Sequence, residues 1–201
     1  MGIGGSSAAA AASVVELHSR REFLRYEGPF EDSKLNVGDY RGMANTGGQF
    51  PIGEVFTEPV DVTGVNGKVE LFAFGDNTFS VHFLPEPFVV RIEAGRVVEA
   101  VGAPPAFLGV LEDIRAAEGE VWVRELGFGL NRAFTRERRV TDVGTYERMC
   151  GVHLSFGAKH PVYAKAGFSK KHTRFHVDVF VDAQSVLADG VQVFDGERYT
   201  V

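Results

Sequence analysis

The sequence contains a single cysteine, Cys150, among its 201 residues. One thiol cannot form an internal disulfide framework, and it excludes a zinc knuckle built from several thiolates. Its surroundings in RMCGVH are largely apolar, which favours a buried and unreactive thiol. Because a chain without disulfides fits a reducing compartment, we expect the protein to be cytoplasmic.

Long runs of one residue type are missing as well. No stretch approaches the ~18 consecutive apolar residues of a membrane-spanning helix, so no membrane span is expected. The net charge is −6, and TRERRV at 135–140, the nearest approach to a basic run, is interrupted by Glu137. Nucleic acid is therefore not an expected partner. With 44% hydrophobic and 24% charged residues, the composition is that of a globular protein with a real core.

The first residues form a segment of low complexity. The Ala-rich run in MGIGGSSAAAAASVVELHS lacks the basic and bulky apolar residues of a signal peptide. Gly2 and Ser6 satisfy the loose myristoylation pattern, but that pattern is permissive and a flexible tail is the simpler interpretation. We predict a flexible tail over residues 1–13 and a single domain over residues 14–201.

Signals for β-strands dominate the rest of the chain. Runs rich in β-branched and aromatic residues predict strands at 54–56, 67–75, 78–84, 120–126, 151–157 and 174–182, a hairpin over 87–102 and a terminal pair within 189–201. One helix is predicted from Pro104 to Gly119, with an apolar stripe that includes Phe107 and Leu111. A short amphipathic helix is also predicted over 14–26. This order of elements predicts an α+β fold that is strand-dominated and has one main helix.

Two of the predicted strands carry polar residues where apolar ones are expected. With strand alternation, GVHLSFG places His153 and Ser155 on the face opposite Leu154. RFHVDVFVD places His176 and Asp178 on one face, roughly 6.6 Å apart, because two residues rise about 3.3 Å each. This spacing suits two side chains that converge on one cation or on adjacent cations.

Two glutamates have a similar setting. Glu125 ends an apolar strand before the Gly-x-Gly turn of ELGFGLN, and Glu54 follows the glycines of NTGGQFPIGEVF. A carboxylate among apolar neighbours is costly unless it is paired or bound to a metal. Taken one at a time, these residues are more simply interpreted as solvated or hydrogen-bonded, with the aspartate of His-x-Asp orienting the ring. As a set of two histidines and three carboxylates without a thiol, they favour Zn, Co, Mn or ferrous iron.

Four motifs resemble, in their order and approximate spacing, those of the thermophilic aminopeptidase family of metallopeptidases. They are NTGGQFPIGEVFTEPV, RELGFGLN, GVHLSFGAKH and FHVDVF, and they cover the metal-binding C-terminal half of that family at about residues 45–200. The resemblance implies the fold of that C-terminal domain and a centre of two cations, Zn, Co or Mn, that share a bridging water. The five ligands that it implies are Glu54, Glu125, His153, His176 and Asp178. It also implies a hydrolase that removes N-terminal residues from peptides.

The same resemblance implies catalytic roles. A carboxylate, Glu54 or Glu125, takes the proton of the water and returns it to the leaving amine. His160 stands where the family has a tyrosine that assists the transition state, and Tyr163 follows three residues later. Glu147 only loosely matches an acidic residue that the family carries shortly before the ligand histidine, since it lies one place out of register. Family members dimerise, so we expect a homodimer, with small peptides or small molecules as substrates.

Two other functions remain open on the same residues. The scaffold also resembles ring-cleaving dioxygenases of dihydroxypyridines, in which His153, His176 and Asp178 would hold one Fe(II) with open positions for substrate and oxygen. Glu54 and Glu125 would then be neighbouring or acid-base groups. The third hypothesis is a remnant without catalytic activity, which keeps its metal for stability or serves as a subunit of another protein.

Overall fold

The structure is a computed structural model that describes residues 11–41, 50–158 and 175–200. Its strands are β1 (Val14–Ser19), β2 (Glu22–Glu27), β3 (Lys34–Asn36), β4 (Glu54–Thr57), β5 (Val65–Gly75), β6 (Val81–Glu93), β7 (Arg96–Val101), β8 (Val123–Gly129), β9 (Gly151–Gly157), β10 (His176–Val181), β11 (Ala183–Ala188) and β12 (Val191–Phe194). Its helices are α1 (Pro105–Glu118) and α2 (Val143–Tyr146), with a 3-10 turn at Val62–Gly64. The predicted strand-dominated fold with one main helix is confirmed. Neither described helix combines the length and apolarity that a bilayer crossing requires.

The described strands all belong to one curled sheet. Its main path runs β12-β11-β1-β2-β5-β10-β9-β8-β4-β3, and β6 and β7 branch off from β5. The pairings between these strands are antiparallel. The path does not follow chain order, because β10 lies between β5 and β9. As a result β10, β9, β8 and β4 are consecutive neighbours, although they come from distant parts of the chain.

The segment 14–26, predicted to be an amphipathic helix, forms the β1–β2 hairpin instead. In β1 the burial alternates with a period of two, and Val15 and Leu17 are fully buried. The chain turns at Arg20, so Leu24 reaches the core from the second strand. An isolated helix of this length is marginal in water. Pairing of β1 with both β2 and β11 provides a hydrogen-bonded alternative that local sequence patterns do not reveal.

The strand predicted at 78–84 and the first strand of the predicted hairpin over 87–102 form one long strand, β6. Pro85 and Pro87 lie within it, where a proline removes a ladder hydrogen bond. They fall at a register shift, since the pairing with β5 jumps from Phe88 to Phe83. The missing donors therefore coincide with a bulge. The hairpin itself continues through β6 and β7 as predicted.

The main helix, α1, has nearly the predicted bounds. Gly119 closes it with a φ of 83°, a conformation that favours glycine. Its buried residues are Phe107, Val110, Leu111 and Ile114. The ring of Phe107 packs against Phe74 of β5 and Phe88 of β6, with centroid separations of 5.1 and 4.7 Å. The helix thus covers one face of the sheet.

The two faces of β9 have different surroundings. Val152, Leu154 and Phe156 point into the main hydrophobic core together with the buried side of α1. His153 and Ser155 point to the other face, and both are buried. On that second face a smaller apolar cluster surrounds Phe180, next to Tyr146 and Met149. The alternation predicted for this strand is therefore correct, and the polar face is covered.

Asp76 organises the turn between β5 and β6. One carboxylate oxygen accepts hydrogen bonds from the backbone N–H of Thr78 at 2.7 Å and of Ser80 at 3.1 Å. The other oxygen lies 2.6 Å from Nε2 of His82. Burial alone would raise the pKa of Asp76, but the hydrogen bonds from His82, Thr78 and Ser80 outweigh it and hold the pKa well below its usual range.

We expect Asp76→Asn to lower the free energy of unfolding by about 1–3 kcal/mol at pH 7, since the turn loses a charged acceptor. A carboxyl whose pKa is depressed by folding stabilises the protein above its unfolded-state pKa of about 3.9. This contribution is lost as the pH falls through the folded-state pKa. Urea unfolding at pH 7, 4 and 3 therefore measures a difference that shrinks toward low pH. Glu112→Gln, at an exposed position of α1, is the control, and an equal deficit at every pH would contradict the prediction.

Candidate metal centre

Four neighbouring strands bring the predicted ligands to one place. His176 and Asp178 lie on β10, His153 on β9, Glu125 on β8 and Glu54 at the start of β4. Adjacent strands of a sheet are about 4.8 Å apart, so side chains on one face of four strands can meet. The five residues, which extend over more than half of the chain, are thus brought together by the strand order.

The ligand atoms fall into two groups. The β8–β10 group consists of Glu125, His176 and Asp178, and the β4–β9 group consists of Glu54, Glu147 and His153. Within each group one ligand atom from each residue lies within 4.8 Å of the others. Each group therefore offers one imidazole and two carboxylates, a nitrogen and oxygen set that suits Zn, Co, Mn or Fe(II).

His153 joins the two groups. Its Nε2 lies 3.3 Å from Oε1 of Glu54 and 3.3 Å from Oε1 of Glu125. On the other side, Nε2 of His176 lies 3.3 Å from Oδ1 of Asp178 and 3.8 Å from Oε2 of Glu125. Donor atoms bound to one ion at about 2.0–2.2 Å are themselves about 3–3.5 Å apart. The spacing observed is therefore close to that of a metal-binding arrangement.

Burial excludes a solvated polar face for most of these residues. The exposed fraction is 4% for Glu54, 2% for Glu125, 1% for His153 and 3% for Asp178. Only the side chain of His176 reaches solvent to a larger extent, at 31%. Among the described residues, the buried Oδ1 of Asp178 makes no well-aligned hydrogen bond, and its ion-pair contact is with Nε2 of His176 at 3.3 Å. A buried carboxylate with so few donors is costly, and a bound cation would reduce that cost.

Two local features position the side chains on β8 and β9. At Gly127 an added Cβ would lie 2.0 Å from Nε2 of His153, so only glycine leaves room for the ring. The register between β8 and β9 shifts between Val123 and Leu126, which places Glu125 in a bulge. The backbone N–H of Glu125 donates to Oγ of Ser155 at 3.0 Å instead. Bulges re-aim side chains, and this one turns Glu125 toward the polar face.

Two residues just after α2 complete the site. Glu147, which matched the expected acidic position only loosely, belongs to the β4–β9 group. Arg148 is 2% exposed, and its Nη1 lies 3.1 Å from Oε2 of Glu54 and also contacts Oε1 of Glu147. The sequence reasoning missed Arg148, since TYERMC contains no pattern that distinguishes a buried arginine from an exposed one. The spacing of Glu147 to His153 was the available signal for the glutamate.

The site has an excess of negative charge. Its four carboxylates face one arginine, Arg148, which leaves three formal negative charges before the imidazoles are counted. Burial opposes a charge on His153, but its contacts with Glu125 and Glu54 raise its pKa to about 10. In the same way Asp178 outweighs burial and raises the pKa of His176 to about 9. Burial raises the pKa of Glu125. The carboxylates thus hold protons where they could also hold cations.

The two other predicted catalytic residues, His160 and Tyr163, lie outside the described residues.

A cavity of about 240 Å³ adjoins the site. Glu147, His176 and Asp178 form part of its wall, and Phe79 and Val143 contribute apolar surface. Ligand pockets usually measure about 300–1,000 Å³, so this cavity suits a small molecule or a short part of a larger one. A larger cavity of about 680 Å³ lies against the 132–138 loop, but none of the six candidate ligands lines it. The smaller cavity is therefore the candidate substrate pocket, because candidate ligands line it.

No family model and no curated protein matches the chain. Among solved structures it is similar to the 2,5-dihydroxypyridine dioxygenase from Pseudomonas putida KT2440, with a TM-score of 0.68 and 14% identity over 100% of this chain and 58% of that one. It is also similar to wild-type AmpT, an aminopeptidase from Thermus thermophilus, with a TM-score of 0.61 and 16% identity over 96% of this chain and 51% of that one. At such identities the likeness shows a distant relationship of fold. The chain spans little more than half the length of either protein.

Proposed function

We propose that the chain is a metal-dependent hydrolase whose site resembles that of a dinuclear aminopeptidase. It removes N-terminal residues from small peptides or cleaves a related small amide. One observation carries the proposal: the site contains two neighbouring groups, each with one imidazole and two carboxylates. His153 connects them, because its Nε2 lies 3.3 Å from a carboxylate oxygen of Glu54 in one group and of Glu125 in the other. Two such groups side by side match the requirement of a centre with two cations.

The residues present fit divalent cations. In this proposal Glu125, His176 and Asp178 would hold one cation, and the β4–β9 group, which includes His153, would hold the other. The donors are nitrogen and oxygen atoms without a thiol, which favours Zn, Co or Mn. Such cations supply Lewis acidity toward a carbonyl and make a bound water acidic near neutral pH.

Glu125 is the proposed proton carrier. It is almost fully buried and lies between the imidazoles of His153 and His176. A positioned glutamate is one of the groups that transfer protons in such reactions. It takes a proton from the attacking water and returns it to the leaving amine. His160 and Tyr163 remain proposed assistants of the transition state.

The cavity favours a substrate that carries a free amine. Glu147 and Asp178, two of the proposed ligands, lie in its wall beside the apolar side chains of Phe79 and Val143. A free amine that enters the cavity would reach, in its unprotonated form, a cation held there, and a small apolar side chain can contact the aromatic part of the wall. This combination supports a short peptide or amino-acid amide as the substrate class.

The proposal predicts metal-dependent hydrolysis of N-terminal amide bonds. Full-length protein purified without chelator or affinity resin is expected to contain a bound divalent cation, with up to two equivalents at saturation. Treatment with a chelator should reduce turnover of amino-acid amides to background, and Zn, Co or Mn should restore it. Elemental analysis and amine release measure the two quantities on the same sample.

Acetylated amides are the matched control, because they lack the free amine. They should be turned over at least about 10-fold more slowly, since the blocked amine can no longer bind the cation. If protein loaded in turn with Zn, Co, Mn and Fe(II) retains no cation, the proposed function is wrong. Bound metal and metal-dependent stability without turnover of any substrate class would favour the inactive remnant.

A ring-cleaving dioxygenase is the second candidate. Two observations favour it: the dihydroxypyridine dioxygenase matches the whole of this chain, and His153 lies on the same face of adjacent strands as His176 and Asp178. Two imidazoles and one carboxylate are a common ligand set for Fe(II). Glu54 and Glu125 would then serve as neighbouring acid-base groups.

Oxygen consumption separates the two candidates. Protein loaded with Fe(II) under anaerobic conditions is mixed with a pyridinediol or a catechol, and oxygen uptake is recorded after air is admitted. Uptake that requires both iron and the aromatic substrate supports the dioxygenase. Absence of uptake in a sample with proven iron content removes this candidate.

Assembly and compartment belong to the proposal as well. β3 and β12 end the main path of the sheet, and strand edges invite pairing with another chain. We propose a homodimer in the cytoplasm, in keeping with the single cysteine.

A further inference from the structure

Arg148 is among the largest fully buried side chains of the described residues. It belongs to the segment between α2 and β9, and its backbone C=O accepts a hydrogen bond from the N–H of Asn131 at 2.8 Å. Its Nε donates to the carbonyl oxygen of Pro51 at 3.3 Å. A guanidinium is rarely buried without paired charges, because its desolvation is costly. The position of this side chain is therefore set by specific contacts at both ends.

The charged contacts of Arg148 lie within the β4–β9 group. Its Nη1 is 3.1 Å from Oε2 of Glu54 and also contacts Oε1 of Glu147. Both carboxylates of this group therefore share a positive charge that belongs to the chain itself. The third member, His153, lies on the opposite side of Glu54, at 3.3 Å from its Oε1.

The β8–β10 group is different. Among the described residues, the ion-pair contacts of Glu125 and Asp178 are with imidazoles, and Arg148 acts on Asp178 only through longer-range electrostatics. A guanidinium keeps its charge and cannot bind a cation, and in the part of the chain that the structure describes the guanidinium of Arg148 contacts carboxylates of the β4–β9 group only. The two groups thus offer a cation the same types of donor atom. In the β4–β9 group, however, a guanidinium competes with the cation for the carboxylates.

We propose that Arg148 acts as a built-in cation of the β4–β9 group and makes the two metal positions unequal. The first divalent cation binds to Glu125, His176 and Asp178. The second binds to the β4–β9 group more weakly, because it must share Glu54 and Glu147 with the guanidinium and is repelled by it. This inference rests on the metal centre of the proposed function and concerns the order and affinity of loading.

The test is a titration of chelator-treated, full-length protein with Zn²⁺, followed by isothermal calorimetry and by elemental analysis after dialysis. Wild type is expected to bind one tight equivalent and a second that is about 100-fold weaker. Arg148→Met removes the charge at similar length and should tighten the second equivalent by about 10- to 100-fold, because the guanidinium no longer repels the cation or competes for the carboxylates. Arg148→Lys keeps the charge and should resemble wild type.

Thermal unfolding gives a second readout. Without metal, Arg148→Met leaves Glu54 and Glu147 without their buried partner, so its Tm should fall below that of wild type. Zn²⁺ should then raise the Tm of this variant more than that of wild type. If Arg148→Met does not fold even with metal, the calorimetric titration of wild type still tests the inference. Two equivalents that bind wild type with equal affinity overturn it.

The outcomes separate this inference from the proposed function. Two equal, tight sites in wild type, or a second site that Arg148→Met leaves unchanged, overturn the role of Arg148 while metal-dependent hydrolysis stands. Absence of any bound cation in all three proteins overturns both.

Discussion

Gly127→Ala is expected to abolish metal binding by the β4–β9 group and to reduce amide hydrolysis to background. The added methyl would lie 2.0 Å from Nε2 and 2.3 Å from Cε1 of His153, so the ring must leave its position between Glu54 and Glu125. Displacement of a ligand that joins both groups should lower metal affinity by more than about 100-fold. The forced repacking should cost a further 1–3 kcal/mol or so of stability.

Isothermal calorimetry with Zn²⁺, which resolves both equivalents, and urea unfolding measure these two effects. Gly109→Ala is the matched control, since an added Cβ there meets nothing within 4 Å and the residue lies in α1. It should leave metal binding unchanged and stabilise the helix by about 0.5–1 kcal/mol. Normal binding of both equivalents in Gly127→Ala would show that His153 does not bind the cation from its position in this structure.

Asp178→Asn is expected to remove the cation of the β8–β10 group. The substitution keeps the shape of the side chain but removes the charge and replaces one ligand oxygen by an amide. We expect the affinity of the tight equivalent to fall by more than about 100-fold, with a loss of turnover of about 1,000-fold or more. Without metal the variant should be less stable than wild type at pH 7: although burial opposes it, His176, His153 and Arg148 lower the pKa of Asp178, and a neutral side chain loses these interactions.

Asp182→Asn is the control for Asp178→Asn. Asp182 is equally buried near the end of the same strand, but its partners are Arg20 at 3.3 Å and Arg136. This variant should lose about 1–3 kcal/mol of stability and keep its metal. The comparison distinguishes a ligand from a carboxylate that only orients the ring of His176. If Asp178→Asn binds Zn²⁺ like wild type, Asp178 is not a ligand.

The number of cations that the site binds is a useful measurement in view of the two structural neighbours. One is a dioxygenase and the other an aminopeptidase, and the chain shares their fold at 14% and 16% identity. A site that holds one tight cation at His176 and Asp178 is compatible with either chemistry. A second cation at Glu54 and Glu147 is required only for dinuclear hydrolysis. Whether the chain binds one cation or two therefore separates the two proposed functions, and Arg148 is the residue proposed to weaken the second cation.

Much of the fold could be predicted because strand signals are local. GVHLSFG forms β9 with the predicted bounds, and α1 extends over nearly the predicted range. The helix predicted over 14–26 was wrong because a segment of two short strands can imitate a helical stripe. Its true state depends on pairing with β11, about 170 residues away in the chain. Local periodicity contains no information on such a partner.

By itself, the sequence determined which side chains face which way along a strand. Alternation has a period of two, so His153 had to lie opposite Leu154, and His176 and Asp178 had to lie opposite the valines of their strand. Only the tertiary structure decided that these faces meet, because the order β10-β9-β8-β4 is set by contacts between distant segments. It also decided that a bulge turns Glu125 inward and that Arg148 is buried against two of the carboxylates. Both depend on packing between distant segments: Glu125 on the pairing of β8 with β9, and Arg148 on its contact with Glu54 of β4.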